Sequence, residues 1–135
     1  MTPQFTIRQI YLKDMSFQAP SGAAIFTQEW QPEVKVDVKV AQEALPGGLT
    51  EVVLTISIVT KSAGTTAFMI EIMQAGVFHI AGYDLTQFDR LVRGKCPTIL
   101  FPYAREAIDN ILMKGRFPAL ILDPIDFEAN LTAKR

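Results

Sequence analysis

Residues 50–80 carry the strongest hydrophobic pattern in the chain, and the pattern predicts two β-strands. Apolar residues occupy nearly every position of 52–59 and alternate with less apolar ones along 68–73. Between them, the polar segment 61–66 contains Gly64 and predicts a tight turn, so the region as a whole predicts a long hairpin. Both faces of this hairpin are largely apolar, although a sheet with helices on one side needs only one apolar face. We therefore expect another protein chain to cover the second face.

Two more strands are predicted before the hairpin. Residues 5–17 alternate between apolar and polar, but the apolar phase slips near Gln9, which is typical of a β-bulge or bend. Residues 34–40 alternate strictly, with valines on one side and charged residues, which should face water, on the other. The segment 19–32 between these two strands contains two prolines and a glycine and is predicted to be a loop. Four strands joined by short connections predict an antiparallel sheet.

The apolar period changes to that of helices after residue 82. A short helix is predicted over residues 84–93, and the segment 95–97 should interrupt it. The main helix is predicted over residues 100–114, with Pro102 in its first turn and Gly115 as its stop. Because the strands precede the helices, the predicted fold class is α+β.

An extended apolar stretch with a proline near each end follows the main helix, over residues 117–124. Asp126 is then predicted to cap a short terminal helix. The chain contains no internal repeat and no linker, and 135 residues suit one domain, so we expect residues 1–135 to form a single domain.

Composition and charge exclude several classes of partner. The formal net charge is -1 and no basic run is present, so neither nucleic acid nor an anionic membrane is predicted to bind. No apolar run approaches the ~20 residues that span a bilayer, so we expect no membrane insertion. The single cysteine, Cys96, cannot form an internal disulfide, and no signal-peptide pattern opens the chain. The expected location is the cytoplasm.

Residues that carry chemistry are sparse. His79 is the only histidine, which excludes a multi-histidine metal site, and no glycine-rich phosphate motif is present. We therefore expect no metal, no cofactor and no catalytic residue. The enzyme alternative is a small-molecule site around His79, Asp84 and Cys96, and it requires these side chains to lie within hydrogen-bond reach.

Large aromatic and methionine side chains are more numerous than a thin sheet-and-helix layer needs. They are Phe26, Trp30, Phe68, Met69, Met73 and Phe78. Each one fits a hydrophobic core, but together they also describe an adaptable apolar groove, because rings and flexible thioethers accommodate many side-chain shapes.

Several motifs, in a fixed order, resemble those of SecB, the family of bacterial protein-export chaperones. They are WQPEVKVDV at 30–38, EVVL at 51–54, AFMIEI at 67–72, GVFHIAG at 76–82 and CPTILFPYARE at 96–106. The resemblance implies a four-stranded antiparallel sheet with helices packed on one face, assembled as a homotetramer that is a dimer of dimers. It also implies a holdase that needs no ATP, binds unfolded precursor proteins in apolar grooves and delivers them to the export motor ATPase, SecA.

The resemblance assigns residues to three roles. The groove for unfolded polypeptide would comprise Trp30, Val34, Val36, Val38 and Leu131. The SecA docking surface, an acidic patch on the exposed face of the sheet, would comprise Asp14, Met69 and Glu71. The interface between protomers would include Ile70, Ile72 and Gln74. The alternation of the valines alone fits a buried row equally well.

Two departures from the family pattern leave a second chaperone hypothesis open. Gln18 stands where the family has an acidic residue, which removes one charge from the docking patch. The sequence ends at Lys134 and Arg135, where related proteins carry a longer acidic tail. A SecB-like chaperone that serves another client, such as an antitoxin, is therefore the alternative.

Overall fold

The computed structural model of the chain describes residues 2–129, and its four strands form one antiparallel sheet. The strands are β1 (Gln4–Gln18), β2 (Pro32–Leu45), β3 (Leu49–Ser62) and β4 (Thr65–Ala81). Their order in space is β1-β4-β3-β2, so the β3–β4 hairpin is central and β1 and β2 form the two edges. The predicted hairpin and the predicted antiparallel sheet are confirmed.

Tight turns join β2 to β3 and β3 to β4. Ala63 and Gly64 both have positive φ angles, 50° and 83°, and so do Gly47 and Gly48, at 81° and 75°. Two successive positive φ angles follow the right-handed twist of the flanking strands, which is why glycine is favoured at such positions. The segment between β1 and β2, predicted to be a loop, contains one short 3₁₀ helix, Gly22–Thr27.

β1 contains two bulges, where the sequence indicated one slip. The pairing with β4 skips Arg8, between Ile7 and Gln9, and skips Lys13, between Leu12 and Asp14. Each extra residue reverses the alternation of side chains, so the apolar residues stay on one face although their spacing changes from two to three. They are Phe5, Ile7, Ile10, Leu12, Met15 and Phe17.

The helical region is continuous from residue 85 to residue 115. It consists of α1 (Leu85–Arg90), a π-helical segment (Leu91–Lys95) and α2 (Cys96–Gly115). The interruption predicted at 95–97 is wrong, because the backbone stays helical through Lys95 and Cys96 and the π-helical segment leads directly into Pro97 in the first turn of α2. Pro102 lies inside α2 and not in its first turn. The helix ends as predicted at Gly115, and Arg116 follows with a left-handed φ of 65°.

α2 packs across one side of the sheet, which we call the helix-covered face. The buried side chains there include Leu54, Ile56 and Ile58 of β3, Ile72 and Phe78 of β4, and Leu100, Ala104, Ile108 and Leu112 of α2. This core joins the sheet to the helix, so the fold class, with helices on one face, is confirmed. The single domain over residues 1–135 stays a prediction.

We call the other side of the sheet, which no described helix covers, the open face. Polar residues interrupt its apolar ones. Ser57 pairs with Glu71, and this polar pair lies between the pair Val59–Met69 on one side and the pair Thr55–Met73 on the other. None of the strongly exposed large hydrophobic residues among those described lies on this face. The expectation that another protein chain covers this face stays a prediction, and the most exposed large apolar residues lie elsewhere. The exposed residues are Ile7, Leu12, Met15, Phe26, Val34, Val36, Leu85, Tyr103, Met113 and Ile121.

Candidate functional site: an apolar groove and the open face

An apolar groove of about 360 Å³ lies between β2 and the extended segment that follows α2. Its walls and floor are Val34 and Val36 of β2, Ile56 of β3, Phe101 of α2, and Leu120, Ile121, Leu122, Asp123 and Ile125 of the segment. Ile121 is 93% exposed, although a large aliphatic side chain is normally buried. Within the described part of the chain, the groove therefore offers uncovered apolar surface, with Asp123 as the single charged residue among those that line it.

A cluster of aromatic rings lies beside the groove. Phe117 is buried at its centre, and its ring lies 4.8 Å from Phe68, 5.4 Å from Phe26 and 5.9 Å from Trp30, measured between ring centroids. Phe26 is exposed and Trp30 is half-buried, so part of this cluster faces solvent. Tilted and stacked rings at these distances attract each other and present a surface that accepts many apolar partners.

The predicted groove residues fall into four groups. Val34 and Val36 line the groove and are exposed, while Trp30 packs on the aromatic cluster. Val38 is partly buried against the core, which agrees with the alternative that part of the valine row is core. Leu131 lies outside the described residues. The assignment of these residues to client binding stays a prediction.

The extended segment is the part of the groove that the sequence analysis missed. The sequence predicts an extended apolar stretch over residues 117–124 but no function for it. Four of its side chains, at 120–123, line the groove together with Ile125, which follows the stretch. The sequence carries a signal for this, because an apolar run that has neither a helical nor a strand period and is flanked by prolines cannot bury all its side chains in regular structure. The predicted cap of the terminal helix is confirmed for the described part: Asp126 Oδ1 accepts the Ala129 N–H at 2.9 Å.

The residues predicted to dock the motor share the open face. Met69 pairs with Gln18, Glu71 pairs with Ser16, and Asp14 pairs with Met73, so they occupy three adjacent rows of the sheet. Glu71 is exposed, and its Oε2 accepts a hydrogen bond from Ser57 Oγ at 3.3 Å. The face therefore presents carboxylates separated by thioethers, and docking on it stays a prediction.

A three-residue cluster ties β1 to β3 on the open face. Lys13 Nζ lies 2.7 Å from Glu51 Oε1, and the Tyr11 hydroxyl donates to Glu51 Oε2. The hydrogen bond from Lys13 is the largest cause that lowers the pKa of Glu51, and the hydrogen bond from Tyr11 is the second. The hydrogen bond to Glu51 raises the pKa of Tyr11. Both oxygens of a nearly buried carboxylate are thus satisfied, as burial requires.

The predicted interface residues are buried within a single protomer. Ile70 and Ile72 lie on the helix-covered face, where they belong to the core. Gln74 is also buried, and its Nε2 donates to the Tyr11 carbonyl oxygen at 3.1 Å. They stay predicted interface residues.

The side chains of the enzyme alternative are not brought together. Cys96 is buried in the core on the helix-covered face, and burial raises its pKa to about 12, which keeps the thiol protonated. His79 pairs with Leu49 on the open face, on the other side of the sheet. Asp84 caps α1 by accepting the Gln87 N–H at 2.8 Å. No group of three potential metal ligands occurs in the described part of the chain.

One family model matches the whole chain. Its description is preprotein translocase subunit SecB, and it matches residues 1–135. Curated relatives named protein-export protein SecB share about half of the sequence. The protein from Pseudomonas syringae pv. tomato is 48% identical over 127 residues, which are 94% of this chain and 77% of the relative. The protein from Pseudomonas aeruginosa LESB58 is 47% identical over 128 residues, which are 94% of this chain and 78% of the relative.

A solved structure supports the fold at much lower identity. A SecB-like chaperone of Mycobacterium tuberculosis, solved with a peptide from an antitoxin, superposes with a TM-score of 0.72. The match covers 90% of each chain at 15% sequence identity, so it shows the likeness of fold alone.

Proposed function

This chain belongs to the SecB family of protein-export chaperones, and from this premise we propose that it binds unfolded precursor proteins in the groove beside β2. The observation that carries the proposal is the uncovered apolar lining, with Ile121 93% exposed and Val34 and Val36 facing the same space. Extended polypeptide brings apolar side chains that a folded protein hides. The family is one of chaperones and is not known to be enzymatic.

The mechanism we propose is mass action. A protein that binds the unfolded state and not the native one withdraws chain from folding and aggregation without consuming ATP. Each apolar contact stabilises the complex by roughly 25 cal/mol per Å² of buried surface, and the ordering of a flexible chain offsets much of this. Affinity should therefore grow with the number of grooves that one client reaches.

A matched pair of variants tests the groove. Ile121→Asp introduces a charge into the lining, and Leu85→Asp introduces the same charge at a residue that is 88% exposed on α1 and does not line the groove. Both side chains are almost fully exposed, so neither change should unfold the protein. We expect Ile121→Asp to weaken binding of an unfolded precursor about tenfold, or about 1.4 kcal/mol, and Leu85→Asp to leave it unchanged. The measurement is the dissociation constant for a labelled precursor, together with the delay in its refolding.

Equal effects of the two substitutions would contradict the groove assignment, because the loss would then follow from added charge in general. Full retention of binding by Ile121→Asp would contradict it as well. Circular dichroism and thermal melts of both variants establish that the comparison is made between folded proteins.

The open face is the surface we propose for delivery to SecA. Asp14 and Glu71 present carboxylates, and Met69 beside them offers adaptable apolar contact, which suits a basic docking segment. The groove lies on the other side of β2, so a client and the motor would bind different surfaces. This separation would let the chaperone hold its client until the motor has docked.

We further propose a homotetramer built as a dimer of dimers. The support is the exposed apolar surface outside the groove, at Ile7, Leu12 and Met15 of β1 and at Tyr103 and Met113 of α2. A cytoplasmic location fits this function. Within the described residues, no helix is both long and apolar enough to cross a membrane.

The antitoxin alternative, which the departures at Gln18 and at the end of the sequence left open, gains from the comparisons only a likeness of fold at 15% identity, whereas the relatives named protein-export protein SecB are 47–48% identical. The comparison favours export. A pull-down with the C-terminal segment of SecA separates the two hypotheses, since only the export chaperone should be retained.

A further inference from the structure

The second bulge of β1 brings Asp14 to the open face. Leu12 pairs with Gln74 on the helix-covered face, whereas Asp14 pairs with Met73 on the open face, and Lys13 is the extra residue. In an unbroken strand, residues two apart share a face, so Asp14 would follow Leu12 toward the helix-covered side. The carboxylate reaches the proposed docking patch only because the strand is bulged at Lys13.

Glu51 anchors this bulge from a different strand. Its Oε1 accepts the ammonium group of Lys13, the bulged residue, at 2.7 Å, and its Oε2 accepts the hydroxyl of Tyr11. Glu51 lies on β3, so these contacts cross over β4 and hold the edge strand to the centre of the sheet. The other bulge, at Arg8, has no comparable ion pair among the described residues.

Glu51 is only 8% exposed, which leaves it little surface with which to contact a partner directly. Asp14, by contrast, is exposed, and its Oδ1 accepts the Met15 N–H at 3.0 Å, which fixes the carboxylate relative to the backbone that follows the bulge. Movement of that backbone would therefore move the charge.

We propose that Glu51 is a positioning residue for motor docking, which holds the β1 bulge in place and so keeps the Asp14 carboxylate on the open face. The inference rests on the proposed docking of SecA on that face. It assigns a role to a carboxylate that sequence analysis did not single out.

A double-mutant cycle tests the proposal in the full-length protein. We expect Glu51→Gln and Asp14→Asn each to weaken binding of purified SecA about fivefold, because charge contacts at the rim of an interface contribute on this scale. The double variant should be no weaker than Asp14→Asn alone, since Glu51 acts through Asp14. Affinity for an unfolded precursor should not change.

Glu43→Gln is the matched control. Glu43 pairs with Glu51 across β2 and β3, and it is an exposed carboxylate that acts on Lys13 through its charge alone. Its substitution therefore removes the same charge from the same region and leaves the hydrogen bonds of Lys13 and Tyr11 to Glu51 in place. We expect SecA affinity to be retained. An effect equal to that of Glu51→Gln, or additive effects of Glu51→Gln and Asp14→Asn, would overturn the positioning role.

Amide hydrogen exchange separates this inference from the docking proposal. In Glu51→Gln, amides of residues 13–15 should exchange faster, while those of residues 7–9 at the first bulge should keep their rates. Unchanged exchange at residues 13–15 would overturn the inference even if SecA binds. If the unmodified protein fails to bind SecA, the docking proposal fails, and hydrogen exchange still decides whether Glu51 holds the bulge.

Discussion

Gln18 is a single residue whose side chain bears on the choice of partner. It pairs with Met69 on the open face, where the resemblance to SecB implies an acidic residue, and Glu71 lies one row away. A carboxylate at this position would add to the negative potential that attracts a basic segment. The amide still offers hydrogen bonds, but it contributes no long-range attraction.

Gln18→Glu should therefore strengthen SecA binding by about threefold, which matches the modest contribution of one exposed charge pair. The gain should largely disappear at about 1 M salt, where the Debye length is about 3 Å. Titration of SecA by calorimetry at two salt concentrations measures both effects. Gln28→Glu, in the exposed connection before β2, serves as the control for net charge. A gain that persists at high salt would contradict the electrostatic explanation.

Among the secondary-structure elements, the contact between β4 and α2 depends on one glycine. A Cβ atom at Gly76 would lie 2.7 Å from the Phe78 ring and 3.1 Å from Leu100 of α2, and both distances are shorter than ordinary contacts. Both of these side chains are fully buried and have little room to move. The glycine therefore allows the helix to approach the sheet closely.

Gly76→Ala should lower the free energy of unfolding by about 1–3 kcal/mol, the usual cost of overpacking a core. Urea denaturation followed by circular dichroism measures the change. Ala41→Gly is the control: it removes a methyl group, instead of adding one, at an exposed position of the edge strand β2 that does not face α2. It should lower the free energy of unfolding by no more than about 1 kcal/mol. A Gly76→Ala variant as stable as the unmodified protein would show that α2 can move away from β4 without loss.

The elements were predictable where a local pattern determines them. Strict alternation at 34–40 and the glycine-containing turn at 61–66 gave β2 and the β3–β4 hairpin, because period and turn chemistry are written in adjacent residues. The sequence predicts two separate helices because proline normally breaks a helix, whereas Pro97 lies in a first turn and Pro102 is accommodated inside α2.

The groove was predictable only in part. The motif around Trp30 and the valine row pointed to one wall, but the opposite wall is formed by residues 120–125, about 90 positions later in the chain. No periodicity links two segments at that separation. The anchoring of Lys13 by Glu51 was not predictable for the same reason, since the contact spans 38 positions and depends on the register of three strands.

At the scale of the whole molecule, exposed apolar residues remain on β1 and α2 after the groove is accounted for. Tyr103 and Met113 are on α2, and Ile7, Leu12 and Met15 are on the edge strand. A lone protomer with this surface should associate with copies of itself, because burying it removes apolar area from water.

Light scattering should therefore give the mass of a tetramer at micromolar concentration. Tyr103→Asp combined with Met113→Asp should lower the mass to that of a dimer, while Leu85→Asp, at an even more exposed apolar residue on α1, should leave it unchanged. A monomeric mass for the unmodified protein would contradict the assembly and, with it, the joint action of several grooves on one client.

The two kinks in β1 have a consequence for a protein that handles unfolded chains. An extended polypeptide can add as a further strand to a long, flat strand at the border of a sheet, and repeated addition leads to fibres. Interruptions at Arg8 and Lys13 divide the outer border of β1 into short runs that a straight guest strand cannot follow. The two bulges that direct side chains of β1 to one face or the other thus also protect this border from co-aggregation with unfolded clients.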